Sequence, residues 1–160
     1  MILVLDVKLD SIEFSVYQLN SSSQIAFGVV ENIGYGDSRI TTNVRLDGRS
    51  EKHVEIIKMV DHFFGMKKII EMLQEESIEV LHDPRDISIV AHRVAHGGDY
   101  FHAPVVIDKE VKRRIKRLIP FAPHNQKSLK CIDISQKILS NSAHIAVFDT
   151  AFHQTMPSCL

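Results

Sequence analysis

The 160-residue chain has only two cysteines, Cys131 and Cys159. Two thiols do not make a disulfide framework, so stability must come from an apolar core, and a reducing cytoplasmic setting is the expectation. Long hydrophobic runs are also missing. The apolar start at residues 2–5 meets Asp6 at once, too early for a secretory segment. No run approaches the roughly 20 apolar residues needed to span a bilayer, so no membrane partner is expected. An excess of one charge is absent as well, because 19 Lys and Arg stand against 20 Asp and Glu. That speaks against nucleic acid as a partner, since phosphate backbones demand a concentrated basic surface. The one basic cluster, residues 112–117, keeps Val111, Ile115 and Leu118 at helical spacing and reads as the solvated face of a helix. No internal repeat divides the chain. What is there is a hydrophobic fraction of 44%, enough over this length for one domain with a sizeable core.

Residues 2–7 read as a buried strand. Residues 11–19 alternate apolar and polar side chains, as a half-buried strand does. Residues 25–30 form a third candidate strand and residues 38–46 a weaker fourth. Over residues 55–74, Ile56, Val60, Phe63, Ile70 and Leu73 recur with helical spacing, and Gly65 suggests a break. A strand is expected over 86–91. Asp108 can cap a helix starting at Lys109, a further helix spans about 126–139, and residues 144–148 are the last strand. Meandering strands followed by helix, strand, helices and strand fit an α/β fold, a ribonuclease H-like mixed sheet with flanking helices.

Three strings carry the chemistry. At residues 148–157, Phe-Asp-Thr-Ala-Phe-His-Gln-Thr-Met-Pro, an apolar strand runs into Asp149. Open α/β sheets place ligands at such carboxyl ends, although a lone acid there equally reads as a cap for the next turn. The second string is Ala91-His92-Arg93-Val94-Ala95-His96-Gly97-Gly98, and the third is Ala122-Pro123-His124-Asn125. His92, His96, His102 and His153 raise the question of zinc. His92 and His96 are four apart, but the glycine pair that follows argues against a helix, and no zinc site is expected.

Taken in order and with their spacing, the three strings resemble the acetate kinase family. The resemblance implies transfer of the γ-phosphoryl of ATP to a short-chain carboxylate such as acetate, giving an acyl phosphate, with Mg²⁺ as cofactor. It implies catalytic roles for Asp149 and His124 and a substrate-binding role for Arg93, whose planar fork suits a carboxylate. His124 would meet phosphoryl oxygens. Asp149 is usually read as a general base. A carboxylate substrate is already ionised at neutral pH, however, so holding magnesium-bound water or orienting Arg93 suits it better. Asp6 would face the metal and Ser11 the nucleotide. Gly97-Gly98 would let backbone approach a ligand, or simply turn.

The first turn departs from the family pattern N-A-G-S-S-S-x-K. Here it reads Asp6-Val7-Lys8-Leu9-Asp10-Ser11-Ile12-Glu13, with Glu13 in place of the lysine. As a bare sequence, Asp6, Asp10 and Glu13 would repel a phosphate tail. Asn20-Ser21-Ser22-Ser23 matches only in letters and reads as a turn. Ala95 and Pro123 stand where larger aliphatic residues are usual, which leaves acetate, propionate and butyrate open. The family's members are longer, so residues 1–160 read as a single amino-terminal acyl-kinase domain, with the nucleotide-binding second domain absent from this chain. A homodimer is one expected assembly. A non-catalytic remnant or partner-binding module of the same fold is the alternative, with open apolar edges favouring self-association.

Overall fold

The computed structural model describes residues 1–46 and 48–153; the end of the terminal string, residues 154–157, and Cys159 lie outside the described residues. One mixed sheet organises them. Its strands are β1 (Ile2–Val7), β2 (Ile12–Tyr17), β3 (Gln24–Glu31), β4 (Arg39–Leu46), β5 (Arg49–Ile56), β6 (Ile89–Val94), β7 (Val105–Val106) and β8 (Ala143–Phe148). The helices are α1 (His62–Leu73), α2 (Lys109–Leu118), α3 (Asn125–Ile138) and α4 (Asp149–His153). The strand order is β5-β4-β3-β2-β1-β6-β8-β7. Strands β1 to β5 form an antiparallel meander, whereas β6 lies parallel to both β1 and β8. Among the described residues no helix is long and apolar enough to cross a membrane.

Three expectations need correction. The helix expected over residues 55–74 starts only at His62, and residues 55–56 instead end β5. Its sequence is largely polar because it is an edge strand: Val54 and Ile56 are exposed, and pairing with β4 along its length holds it. Helix α1 then runs through Gly65 without a break, from the Asp61 cap whose carboxylate accepts from the Phe64 amide at 3.0 Å. Gly65 serves close packing. A Cβ there would stand 3.1 Å from Ile33 Cδ1 and 3.3 Å from Ile12 Cδ1. Finally, β6 begins at Ile89 and carries His92 and Arg93 within the strand, while Asp86 closes a short 3-10 turn, Pro84–Asp86. The cap at Asp108 forms as expected, accepting from the Val111 amide at 2.7 Å. Residues 20–23 make a turn, with Ser22 at φ 54°.

Alternation sorts side chains onto two faces. Leu3, Leu5, Ile12, Phe14, Val16 and Val90 point to the face covered by α1 and α3, where Met66, Ile69, Ile70, Leu73 and Cys131 complete the main core. A second cluster joins Val94, Phe101, Ile107, Ile115, Ile132, Ala146 and Phe148 beneath α2 and α3. The opposite face carries Ile2, Val4, Ile89, Ala91 and Ile145, only half-buried. Asp6, Glu13 and Arg93 belong to that second face by strand period and register. Because β1, β6 and β8 are parallel neighbours, their carboxyl ends finish side by side.

Candidate active site

Those three ends meet at Arg93. Its Nε donates to Asp149 Oδ1 at 2.9 Å and its Nη2 to Asp149 Oδ2 at 3.0 Å, while Nη1 donates to Asp6 Oδ2 at 2.5 Å. The middle strand thus supplies a guanidinium clamped between carboxylates from the strands on either side. Both carboxylates raise the Arg93 pKa above its ordinary value, Asp149 foremost. Three N–H donors are committed in this way, and the remaining ones can meet a ligand. The side chain is still 53% exposed, so the charge is presented rather than buried.

A cavity of about 450 Å³ opens over this triad, lined by Asp6, Val7, Lys8, Leu9, Arg93, Ala95, His124, Ser128 and Asp149. Most of its lining residues are polar, and Val7, Leu9 and Ala95 supply apolar surface of the kind a short alkyl group needs. His124 enters at the start of α3, where its side chain makes no capping bond. The first α3 amides are already taken: Asn125 donates to the Ala122 carbonyl at 3.0 Å and Gln126 to the Pro123 carbonyl at 3.1 Å. From α3 the cavity lining takes His124 and Ser128.

The fold also shows what holds these groups. Asn125 is fully buried; its Oδ1 accepts from the His96 amide at 3.1 Å and its Nδ2 donates to the His96 carbonyl at 2.8 Å. This ties the loop after β6 to the start of α3. The Gly97 amide donates to Thr150 Oγ1 at 2.9 Å, tying the same loop to α4. A Cβ on Gly97 would stand 3.0 Å from the Phe148 ring, so the glycine permits close packing rather than ligand contact. Beneath Arg93, on the other face of β6, His92 Nε2 lies 3.1 Å from His144 Nδ1 and 3.1 Å from Ser135 Oγ. His144 Nε2 donates to the Leu139 carbonyl at 3.1 Å, which leaves its Nδ1 to accept from His92. Burial, then the neighbouring His144, drives His92 down to about 3. Burial lowers His144 as well, so both rings are neutral.

The sequence-derived site residues therefore divide. Asp6, Arg93, His124 and Asp149 come together, whereas Ser11 is not among the cavity-lining residues. Ser11 ends the β1–β2 turn, its carbonyl accepting from the Lys8 amide at 2.9 Å. The charge problem of that turn is largely solved by pairing: Lys8 Nζ donates to Glu13 Oε1, and Asp6 is held by Arg93. Lys8, Ser128 and the anchoring Asn125 and Thr150 were not identified from sequence. Asn125 and Thr150 sit inside the strings that carried the signal; Ser128 had none. His92 points away from the cavity, and His96 faces its own loop, with Nδ1 accepting from the Gly98 amide at 2.8 Å.

A sequence model of the Acetokinase family matches residues 1–159. The chain belongs to the acetokinase family. It is 36% identical to an acetate kinase of Thermotoga maritima over 157 residues, covering 98% of this chain and 38% of that protein. It is 38% identical to an acetate kinase of Symbiobacterium thermophilum over the same length. Solved acetokinase-family structures superpose closely. The Porphyromonas gingivalis acetate kinase gives a TM-score of 0.89 at 31% identity, and a Francisella tularensis propionate kinase gives 0.84 at 31%. The chain spans about two fifths of the length of these acetokinases, 39% and 38% of the two solved chains.

Proposed function

We propose that this cleft is the carboxylate and phosphoryl site of an ATP-dependent short-chain carboxylate kinase. The observation that supports it most directly is Arg93, held between Asp6 and Asp149 at three parallel strand ends and lining a cavity to which Val7, Leu9 and Ala95 add apolar surface. In the proposed reaction a carboxylate oxygen attacks the γ-phosphorus of ATP. A new P–O bond forms, the bond to the β-phosphate oxygen breaks, and ADP leaves. Such transfer needs positioning and positive charge more than covalent chemistry. Arg93 holds the carboxylate with its remaining donors, and the apolar part of the lining takes the alkyl group. His124 donates to a phosphoryl oxygen. Asp149 orients Arg93, a role that its bidentate contact supports.

Magnesium fits the same reading in part. Mg²⁺ keeps several waters and takes one or two carboxylates together with substrate phosphates. Asp6 Oδ1 makes no hydrogen bond among the described residues, so one oxygen can turn toward such an ion, whereas both Asp149 oxygens accept from Arg93. When bound, the ion would neutralise phosphoryl charge. A contact of Ser11 with the nucleotide requires its phosphate tail to lie over the β1–β2 turn. A nucleotide-binding domain beyond these residues, a cytoplasmic location and assembly as a homodimer complete the reading.

Hydroxamate trapping of acyl phosphate, with the full-length polypeptide containing these residues, tests it over a series of acetate, propionate and butyrate concentrations. Arg93→Ala removes charge-assisted bonds worth about 1.5–3 kcal/mol, so the apparent carboxylate KM rises at least about tenfold. Arg93→Lys restores only part of this, because an ammonium lacks the fork. Unchanged KM and turnover in both variants would remove Arg93 from the site.

A further inference from the structure

We propose that Lys8 is a second anion-binding residue of this cleft, and that Glu13 is the internal partner that holds its ammonium and gives way to an incoming phosphoryl group. The proposal rests on the phosphoryl-transfer reading above and extends it to a residue pair peculiar to this turn.

The charge arrangement motivates it. Among the cavity-lining residues, Asp6 and Asp149 supply two negative charges and Arg93 and Lys8 two positive ones. Arg93 already satisfies both carboxylates through three hydrogen bonds. Without Lys8 a phosphoryl dianion entering the cavity would meet a net negative lining, so a second cation beside Arg93 is needed to bring that lining to neutrality. Lys8 is that cation. Its partner Glu13 is not among the lining residues, so the pair straddles the rim, with the base on the cavity side. Glu13 stands opposite Asp6 in the β1–β2 register, which places it beside the triad on the same sheet face.

The backbone of Lys8 is fixed while its side chain is not. Its amide donates to the Ser11 carbonyl at 2.9 Å, and its carbonyl accepts from His62 Nε2 at 3.1 Å. The Ile33 amide donates to the Asp10 carbonyl at 2.9 Å and fastens the far side of the turn. The side chains of Lys8 and Glu13 are 51% and 49% exposed, so their ion pair is weakened by solvent and readily exchanged for a dianion. One ammonium proton meets Glu13, which leaves others free to bridge to a ligand without full separation. The Glu13 hydrogen bond raises the Lys8 pKa, and Asp6 adds to it, so the ammonium is charged throughout the neutral range.

Calorimetric titration of the full chain with inorganic phosphate at low salt tests the proposal, using Lys8→Met, Lys8→Arg, Glu13→Gln, the Lys8→Met/Glu13→Gln pair and Arg93→Met. Lys8→Met should weaken phosphate binding about fivefold or more, Lys8→Arg should retain it, and Glu13→Gln should tighten it about threefold. The Glu13→Gln gain should largely vanish when Lys8 is already methionine. An equal gain with and without Lys8 would show that Glu13 acts only as a remote charge, and weaker binding in Glu13→Gln would show that it does not compete with phosphate; either overturns its role as the displaced partner of Lys8. If Arg93→Met abolishes binding while Lys8→Met changes nothing, the cleft reading stands and the Lys8 proposal falls. If neither substitution alters phosphate binding, phosphate does not occupy this cleft and both fall.

Discussion

Acid should destabilise this fold through His92 well before its carboxylates titrate. The ring is buried, its Nε2–H is committed to His144 Nδ1, and its folded pKa lies at about 3. The unfolded value is about 6.5. A histidine whose folded pKa is lowered binds its proton more readily in the unfolded chain. Its stabilising contribution is therefore complete above about pH 6.5 and is lost progressively as pH falls toward 3. In that window the slope approaches about 1.4 kcal/mol per pH unit, and the loss between pH 7 and pH 5 comes to about 2 kcal/mol for His92 alone. His144 and His62, both lowered mainly by burial, act in the same direction. Asp83, held down to about 2 by Arg85, titrates far below this range. Urea unfolding at half-unit steps from pH 7 to 5 measures the slope, and subtracting the profile of His92→Gln isolates the His92 share. Equal steepness in the wild type and the variant, or a flat wild-type profile from 6.5 to 5, would refute the argument.

Asn125→Ala removes both bonds to the His96 backbone and leaves a part-buried amide and carbonyl without that partner, so stability should fall by about 1–3 kcal/mol, read as a lower urea midpoint with unchanged m-value. Gly65→Leu should cost about 1–3 kcal/mol by overpacking against Ile12 and Ile33. Gly65→Ala should be close to neutral, because the flexible Cδ1 ends can yield and helix propensity improves by about 1 kcal/mol; thermal melts of the two variants compare them directly.

Elements with strong periodicity were legible. β1, β2, β3, α2, α3 and β8 lie close to where alternation, helical spacing and the Asp108 cap place them. β5 was hidden because an edge strand exposed on most of its length has little reason to alternate, and its hydrogen bonds come from β4 rather than from its own residues. Gly65 misled for a related reason. Glycine weakens a helix locally, but here the absent side chain admits Ile12 and Ile33, a contact set by sheet-to-helix distance. In the candidate site, Arg93, Asp149 and His124 could be named because each falls in a string whose letters carry family-level information, whereas Asp6 was named from its place in a first turn that departs from the family pattern. Lys8 could not, since in the sequence it appears only as a misplaced side chain in a turn.

The sequence by itself determined the family, the strand and helix periods of the core, and which residues are candidates for the site. Local patterns suffice for these, because period and motif are properties of neighbouring residues. Tertiary structure alone decided how the charges are used. Asp6, Arg93 and Asp149 are far apart along the chain, and only the parallel register of β1, β6 and β8 brings the guanidinium between the two carboxylates. The same folding turns Glu13 from an uncompensated acid into the partner of Lys8, and buries His92 against His144 rather than aiming it at the cleft. Electrostatic consequence depends on distance and burial, and both are set by long-range packing.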